Sequence, residues 1–541
     1  MTSITMTQTL ESAGRYGCEY TPTVSEGWRL ERLTPASKLH GANGLRDGVD
    51  GKLYVAQCIG SEIAAIDPDR GTVETVVSMG SEIVAPDDLA FDESGKLYVT
   101  ECMNARVSVL ESRGRVRILN GDLPGANGIT FYKGRLFVDE CRLNGRLLEL
   151  NPVTGEPRVL LEGLELPNAL DTGPDGYLYF PLVGKGEIWR IHPDGGQAER
   201  VARGLNHPVA VKFDARGRLV APQSGSGDVL CIDIRTGQSE ILASLAPGLD
   251  NLAFVGERLF VSHHTTGQVS EIRGDGSVRE VIRAGFMFPL DIASDAQGRV
   301  VLCDNSTLHR LHEDGSLSVM GRLFAAGYPG SVRGIDLDGD HLLATTTDGR
   351  VVAYYPEKAC HDTLLAGLDE PCGIARDAAG KLLVAEKGKG RVLQVMNGTT
   401  ETLVSGLVAP MGVAVAADSS CFVADSATGR IHKRTSSGTS LLVDGFVQPQ
   451  GIALQGSTLY VVDAGGHSVW AVDTHSGQRK CLVENVPVGP RPGIKPKPLL
   501  GMPPLSGPFG PFAGIAVGGD NCLYFSAHGE GSVLRLRPAP Q

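Results

Sequence analysis

Hydrophobic and polar positions alternate in short runs along the whole chain, and turns rich in Gly, Asn and Asp separate the runs. One such series is "KLYVTE" (96–101), "RVSVL" (106–110) and "RVRIL" (115–119). Alternation with a period of two predicts half-buried β-strands, and turn residues between the runs predict hairpins. The sequence contains no apolar stripe of helical length with the 3.6-residue period of an α-helix. The pattern therefore predicts an all-β protein.

The same strand opening recurs at nearly constant spacing, in stretches such as "GANGI" (125–129) and "GLDNL" (248–252). We call the residue that precedes each opening strand the anchor. The intervals are 39 to 44 residues, except for 63 residues before the last anchor, and the series is Asn43, Asp87, Asn127, Asn168, Val209, Asp250, Leu290, Arg333, Cys372, Met411, Gln450 and Ala513. Tandem repeats of about 40 residues with four short strands each are typical of β-propeller blades.

Twelve blades are too many for one ring, since propellers usually contain about 4–8. The sequence therefore predicts two tandem six-bladed propellers of four-stranded blades. We place the first at residues 37–286 and the second at residues 287–541, with the boundary at "GFMF" (285–288).

Two segments fall outside the repeats. The N-terminal segment, residues 1–36, contains "GWRLERLTP" (27–35), which reads as a spare strand. This strand either completes the twelfth blade and so closes a ring, or caps the first blade. A Pro-rich insertion at 487–510 precedes the last blade, and we consider a lid, an inter-ring contact or a surface linker.

Composition and charge narrow the class of partner. The 541 residues carry a formal net charge of −12, which disfavours nucleic acids and anionic membranes. The N-terminus lacks the pattern of a secretory leader, and no apolar run is long enough to span a bilayer. The 11 Cys include no CxxC pair, as expected for reduced thiols in the cytoplasm. We expect a small-molecule substrate, and the oligomeric state stays open.

In a propeller the inner strand of each blade begins at one end of the central channel, so the anchors of one ring should converge there. We call this end the mouth. Five of the six anchors of the first ring carry an amide or carboxylate, whereas none in the second ring is Asn or Asp. Such hard oxygens favour Ca²⁺, with Mg²⁺, Mn²⁺ or Zn²⁺ as further possibilities. The alternative is that Asn and Asp simply favour the turns that precede strands.

The motifs "GANGI", "LPNAL" (166–170) and "GLDNL" resemble the strand openings of the senescence-marker-protein/gluconolactonase superfamily, which includes paraoxonases and strictosidine-synthase-like proteins. The resemblance implies a six-bladed propeller that holds a divalent metal, often calcium, at the mouth. Its ligands would match Asn127, Asn168, Asp250 and Asn251. Asn43 stands where the family has a Glu, and we expect Asp87 to restore that charge.

The ends of the second strands should return to the same mouth. They supply the candidate catalytic residues Glu101, Glu140, His263 and His264. The carboxylates are candidates for general bases or metal partners, and a His beside a polarised carbonyl is a candidate proton shuttle. In the alternative, the acids fasten the blade and the His residues belong to a solvated loop.

Three cysteines share one blade position, Cys58, Cys102 and Cys141. We expect them to pack between blades. A nucleophilic role would require a nearby His, and this alternative stays open.

The sequence supports three functional classes. The first is a divalent-metal-dependent hydrolase of a lactone or ester, in which the ion polarises the carbonyl and activates a water. The second is a metal-assisted lyase that resembles the virginiamycin-lyase type and eliminates rather than hydrolyses. The third is a binding or scaffold propeller without catalysis, since fold alone does not fix function. We expect the hydrolase.

Overall fold

The computed structural model describes residues 6–7, 15, 20–111, 114–295, 297–396, 398–503 and 506–539, and it is built almost entirely of β-strands. Twelve antiparallel sheets follow one another along the chain. This confirms the predicted all-β fold of tandem propellers with twelve blades. Within the described residues, no helix has both the length and the apolarity that a membrane crossing requires.

The first propeller contains blades one to six, and within each blade the strands run in sequence from the channel outward. The contacts between the inner strands of blades six and one close this ring. Two 3-10 turns follow second strands, at Cys102–Asn104 and Val183–Lys185. The strands are Leu45–Asp47, Leu53–Gln57, Glu62–Ile66 and Val73–Val77; Pro86–Phe91, Leu97–Glu101, Arg106–Leu110 and Val116–Asn120; Ala126–Tyr132, Arg135–Glu140, Leu143–Leu150 and Pro157–Glu165; Asp171–Thr172, Leu178–Leu182, Glu187–Ile191 and Glu199–Arg203; Lys212–Phe213, Leu219–Pro222, Asp228–Ile232 and Ser239–Ser244; Leu249–Val255, Arg258–His263, Val269–Ile272 and Val278–Ile282.

The second propeller contains blades seven to twelve and closes in the same way, through the inner strands of blades seven and twelve. Its 3-10 turns are Pro356–Lys358 and Lys387–Lys389. The strands are Pro289–Ser294, Val300–Asp304, Thr307–Leu311 and Leu317–Arg322; Val332–Asp338, His341–Thr346, Val351–Tyr355 and Cys360–Leu365; Pro371–Arg376, Leu382–Glu386, Arg391–Met396 and Thr399–Val404; Pro410–Val415, Cys421–Asp425, Arg430–Thr435 and Gly438–Val443; Pro449–Gln455, Thr458–Asp463, Ser468–Asp473 and Arg479–Glu484; Ile515–Val517, Leu523–Ala527 and Ser532–Pro538.

The N-terminal segment supplies the missing strand of blade twelve. Trp28–Arg32 pairs antiparallel with Ser532–Pro538, and Leu30 lies opposite Leu536. Two further short strands, Thr23–Val24 and Met6–Thr7, extend the sheet of blade eleven to six strands. Of the two arrangements considered from the sequence, the spare strand thus adopts the one that completes the twelfth blade.

The chain divides into two compact units. One contains Lys38–Met287 together with Lys495–Met502, and the other contains Met1–Ser37, Phe288–Ile494 and Pro503–Gln541. Part of the Pro-rich insertion is therefore grouped with the first propeller.

Apolar side chains pack between successive blades, and this packing holds each ring together. Between blades one and six, Leu45 and Val55 pack with Phe260 and Val269, and all four are buried. At the closure of the second ring, Leu30 is fully buried in a core shared with blades eleven and twelve. Because closure of the ring lets every blade pack against two neighbours, burial of apolar surface and completion of the ring stabilise the same structure.

The residue after each anchor sits where neighbouring inner strands approach most closely. In the second propeller a Cβ on Gly412 would lie 2.3 Å from the carbonyl oxygen of Gln450, closer than real Cβ atoms come. The second propeller has glycine at five of these positions and Asp at the sixth, namely Asp291, Gly334, Gly373, Gly412, Gly451 and Gly514. The first propeller has a mixed set, namely Gly44, Asp88, Gly128, Ala169, Ala210 and Asn251.

Candidate metal centre

Three inner strands of the first propeller begin with a local irregularity at the anchor, and five inner strands of the second propeller have the same irregularity. In blade two the pairing register shifts between Pro86 and Leu89, so that Asp87 and Asp88 both leave the regular ladder. Blades three and six shift at the equivalent point. Such bulges redirect side chains and are common next to functional sites.

Asp87 is a buried acid at the mouth. Its side chain is 8% exposed and accepts hydrogen bonds from the Cys102 thiol and from the Asn127 amide. Burial, and secondarily the neighbouring Asp88, raise the pKa of Asp87 from 3.8 to about 7. The folded chain therefore holds an acid that is costly to ionise without a compensating charge.

Asp250 is the second acid of the mouth and is half-buried. Burial, followed by the charge of Asp87, raises the pKa of Asp250 well above its usual range, and the Asn43 amide donates a hydrogen bond to it. Among the residues that the structure describes, no Arg, Lys or His forms an ion pair with Asp87 or Asp250. The mouth therefore has excess negative charge whenever these acids ionise.

Deeper in the same channel the charges are balanced. The Oδ2 atom of Asp88 lies 3.7 Å from the Arg46 guanidinium, and its Oδ1 atom accepts a hydrogen bond from the Asn251 amide at 3.2 Å. Lys212 Nζ lies 3.6 Å from Asp171 Oδ2. Asp87 and Asp250 thus differ from Asp88 and Asp171, since no ion pair to either of them occurs among the described residues.

The predicted amide ligands fall into two groups. Asn127 is 8% exposed, and its Oδ1 atom is buried without a hydrogen-bond partner among the described residues. The Oδ1 atoms of the other three accept backbone N–H groups: Asn43 from Cys58 at 3.2 Å, Asn168 from Ala169 at 2.7 Å and Asn251 from Leu252 at 2.8 Å. A carbonyl oxygen has two lone pairs, so each of these three oxygens can still accept one more bond. Asn127 is the one of the four amides whose oxygen has no partner among the described residues.

Two thiols lie beside Asp87. The Sγ atoms of Cys58 and Cys102 are 3.4 Å apart, and both residues are buried. One ligand atom from each of Cys58, Asp87 and Cys102 lies within 4.8 Å of the other two, the one such group of His, Cys, Asp and Glu found in the described part of the chain. The hydrogen bond with Cys58 and burial raise the pKa of Cys102 well above 9. The sequence identified these cysteines as packing residues, and their proximity to Asp87 was not anticipated.

The predicted catalytic acids are held by arginines. Glu101 is fully buried, forms an ion pair with Arg106 at 2.7 Å and accepts the backbone N–H of Val84 at 2.6 Å. Glu140 is fully buried and is held by Arg142, at 2.9 Å, and by Arg146.

The same position fastens loops in the second propeller. Glu386 accepts the N–H of Asp369 at 2.9 Å, Asp425 that of Ala409 at 2.8 Å and Asp463 that of Gln448 at 2.7 Å. These contacts match the alternative given for Glu101 and Glu140 in the sequence analysis, in which the acids hold the blade together. Catalysis by Glu101 or Glu140 stays a prediction.

The two histidines adopt different settings. His263 is buried, with its Nε2 atom 2.9 Å from the carbonyl oxygen of Pro247 and its Nδ1 atom 3.2 Å from Thr265 Oγ1. His264 is half-buried, its ring nitrogens are buried, and its ring stacks on that of His263 with centroids 6.2 Å apart. A proton-transfer role for either residue stays a prediction.

Sequence reasoning missed Asp139, which lies under the mouth on the second strand of blade three. Its Oδ1 atom accepts the N–H of Gly128 at 3.1 Å, and burial raises its pKa well above 3.8. Blade two has Thr100 at the equivalent position, where the hydroxyl donates to the Asn127 carbonyl at 2.6 Å. A neutral carboxyl group can also donate one hydrogen bond, so Asp139 fits this position in its protonated form. The acid pair in "VDE" (138–140) was the available signal.

The mouth of the second propeller has a different chemistry. Its anchors are all buried, with exposures of at most 5%: Leu290, Arg333, Cys372, Met411, Gln450 and Ala513. Arg333 donates to the carbonyl oxygen of Pro508, in the Pro-rich insertion, and Gln450 Oε1 accepts the N–H of Ala513 at 2.7 Å. The insertion therefore contacts this mouth, which offers a cation no carboxylate at its anchors.

Comparisons with known proteins yield likenesses in structure. No family model and no curated protein matches the chain. Virginiamycin B lyase from Staphylococcus aureus is 17% identical, with 54% of this chain and 98% of that chain covered and a TM-score of 0.38. A gluconolactonase from Xanthomonas campestris is 17% identical, with 48% and 97% covered and a TM-score of 0.37.

A third similar structure spans the whole chain. It is the extracellular domain of a putative one component system from B. thetaiotaomicron, 10% identical, with 100% of this chain and 82% of that chain covered and a TM-score of 0.32. The arrangement in twelve blades is shown by the strand pairing of the chain itself.

Proposed function

We propose that the first propeller is a divalent-metal-dependent hydrolase of a lactone or ester, with the ion at its mouth. The observation that carries the proposal is the pair Asp87 and Asp250, which lack a cationic partner among the described residues. Buried charges in proteins are paired or coordinate metals. A divalent cation would compensate both carboxylates at once.

The donor set fits such an ion. Asp87 and Asp250 would bind it with their carboxylates, and Asn127 would contribute the Oδ1 atom that has no hydrogen-bond partner in the described structure. The Asn43 amide orients Asp250 through its hydrogen bond. When bound, a divalent ion polarises a substrate carbonyl and lowers the pKa of a bound water.

Other residues shape the mouth. Val209 is 6% exposed and gives one side of the mouth an apolar surface, which suits the hydrocarbon part of a small substrate. Glu101 and Arg106 hold the loop that leads to Asp87, through the N–H of Val84. Because a misplaced ligand weakens catalysis strongly, this support would matter through the position that it gives Asp87.

The test is a panel of lactones and aryl esters, assayed with the chelator-treated full chain before and after divalent ions are restored. We expect turnover that returns with the ion, and its loss in Asp87→Asn, which retains the shape of the side chain but removes its charge. Product mass separates hydrolysis, which adds water, from elimination by a lyase, which does not. Binding of an ion without turnover of any substrate would favour a binding propeller.

A further inference from the structure

The mouth of the first propeller places two soft ligands next to a hard one. The Sγ atoms of Cys58 and Cys102 are 3.4 Å apart, and a carboxylate oxygen of Asp87 lies within 4.8 Å of both. These residues come from two neighbouring blades, because Cys58 follows the second strand of blade one and Cys102 that of blade two. The packing of blade one on blade two thus assembles a three-ligand group from separate parts of the sequence.

The spacing suits a small tetrahedral ion. With metal–sulfur bonds of about 2.3 Å, a tetrahedral zinc site separates two sulfur atoms by about 3.8 Å. The observed separation of 3.4 Å differs by a few tenths of an ångström, which side-chain rotation can supply. Thiols favour Zn²⁺ and similar ions over Ca²⁺, which takes 6–8 oxygen ligands.

The side chain of Asn127, which lies beside Asp87, offers a fourth donor. Asn127 is 8% exposed, its amide donates to Asp87, and its Oδ1 atom is buried without a hydrogen-bond partner in the described structure. Most buried polar atoms in folded proteins have a hydrogen-bond partner. A buried oxygen without one therefore points to a bound ligand. This observation is independent of the spacing of the thiols.

We infer that the mouth binds a thiophilic divalent ion of the Zn²⁺ type, with Cys58, Cys102, Asp87 and Asn127 as its ligands. Binding converts both thiols to thiolates, and their two protons pass to solvent. The inference rests on the proposed function and specifies the class of ion that the mouth takes. It assigns the same single ion a different set of ligands, in which Asp250 is a neighbouring charge rather than a ligand.

Cys141 provides a matched control. It occupies the same position in blade three and is half-buried, and its Sγ atom lies 3.7 Å from the Nδ2 atom of Asn168. It does not belong to the three-ligand group. A thiol that merely packs between blades should behave like Cys141.

The experiment is a titration of the chelator-treated, reduced full chain with Cd²⁺, followed in the ultraviolet by the thiolate-to-metal charge-transfer band. We expect one equivalent to produce the band, Zn²⁺ to displace Cd²⁺, and excess Ca²⁺ to leave it unchanged. Cys58→Ser and Cys102→Ser should weaken binding by at least about 100-fold. Mutating a residue that only hydrogen-bonds to a metal ligand already lowers metal affinity by about 10–100-fold. Cys141→Ser should bind like the wild type.

The outcomes distinguish the two proposals. A missing band, or a band that survives in the Cys58→Ser, Cys102→Ser double variant, would overturn the thiol site. Ca²⁺-dependent turnover in that variant would overturn it as well, while leaving the hydrolase intact. A Cd²⁺ band without turnover of any lactone or ester would instead support the thiol site and contradict the hydrolase. Asp87→Asn checks for misfolding, since it keeps both thiols and should retain a weakened band.

Discussion

The two propellers use the same blade design but present opposite chemistry at their mouths. In the first, Asp87 and Asp250 face the mouth without a cationic partner among the described residues. In the second, the anchors at the equivalent positions of blades eight and twelve are Arg333 and Ala513, and both are buried. The comparison teaches that the blade fold accepts many residue types at the anchor position. A buried carboxylate without a cationic partner costs free energy there, so its presence indicates a function.

The contrast continues one residue further along the chain. Asp88 and Asp291 hold the next blade in the same way, by accepting the backbone N–H groups of Ile129 and Ile335. Asp88 has Arg46 at 3.7 Å, however, whereas the second channel is lined around Asp291 mainly by glycine, alanine and larger aliphatic residues, together with Asp336 and Arg376. Asp88 thus lies beside an arginine, whereas no ion pair to Asp291 occurs among the described residues.

The largest expected effect comes from removing Asp87. Asp87→Ala eliminates a carboxylate that belongs to both proposed ligand sets, and it should abolish ion binding and turnover. Gln450→Ala, at the equivalent anchor position of blade eleven, removes only a hydrogen bond to Ala513 N and should cost about 1 kcal/mol of stability. Metal content and turnover of the two purified variants check this. Loss of activity in Gln450→Ala alone would assign the site to the second propeller.

A second effect should be confined to folding. Gly412→Ala places a Cβ 2.3 Å from the Gln450 carbonyl oxygen, where both partners are backbone of neighbouring inner strands. We expect a loss of about 3 kcal/mol, since overpacking typically costs about 1–3 kcal/mol and backbone cannot yield easily. Urea unfolding measures it. Gly510→Ala is the control, because its Cβ would meet nothing within 4 Å. Equal stabilities of the two variants would refute the close approach.

A third effect is a pH dependence of stability at Asp291. Burial raises its pKa to about 8, so the folded state favours the neutral acid. Its stabilising contribution is therefore complete below about pH 4 and is lost as the pH rises through about 8. Asp291→Asn loses one accepted hydrogen bond but does not titrate. In urea unfolding, the wild type should be more stable than Asp291→Asn at low pH. This difference in the free energy of unfolding should shrink as the pH rises to 8 to 9. A difference that does not vary with pH would contradict the elevated pKa.

Much of the fold was predictable because each blade repeats one local pattern. The spacing of anchors such as Asn127 and Asn168 identified the blades, and alternation identified the strands. The fastening of Glu101 was also visible in the sequence, since Arg106 follows it by five residues, as Arg391 follows Glu386.

The candidate site was harder to predict because it depends on how blades meet. Cys58 and Cys102 are 44 residues apart, and only the packing of blade one on blade two brings their sulfurs to 3.4 Å. Likewise, periodicity gives no information on which oxygen of Asn127 or Asp139 lacks a partner, because that depends on hydrogen-bond geometry.

The most direct test of the contrast between the two mouths is elemental analysis of the purified full chain, dialysed against buffer with trace divalent ions. The account predicts one divalent ion per chain in the wild type and in Gln450→Ala, and none in Asp87→Ala. No ion in the wild type, or an ion retained by Asp87→Ala, would contradict it.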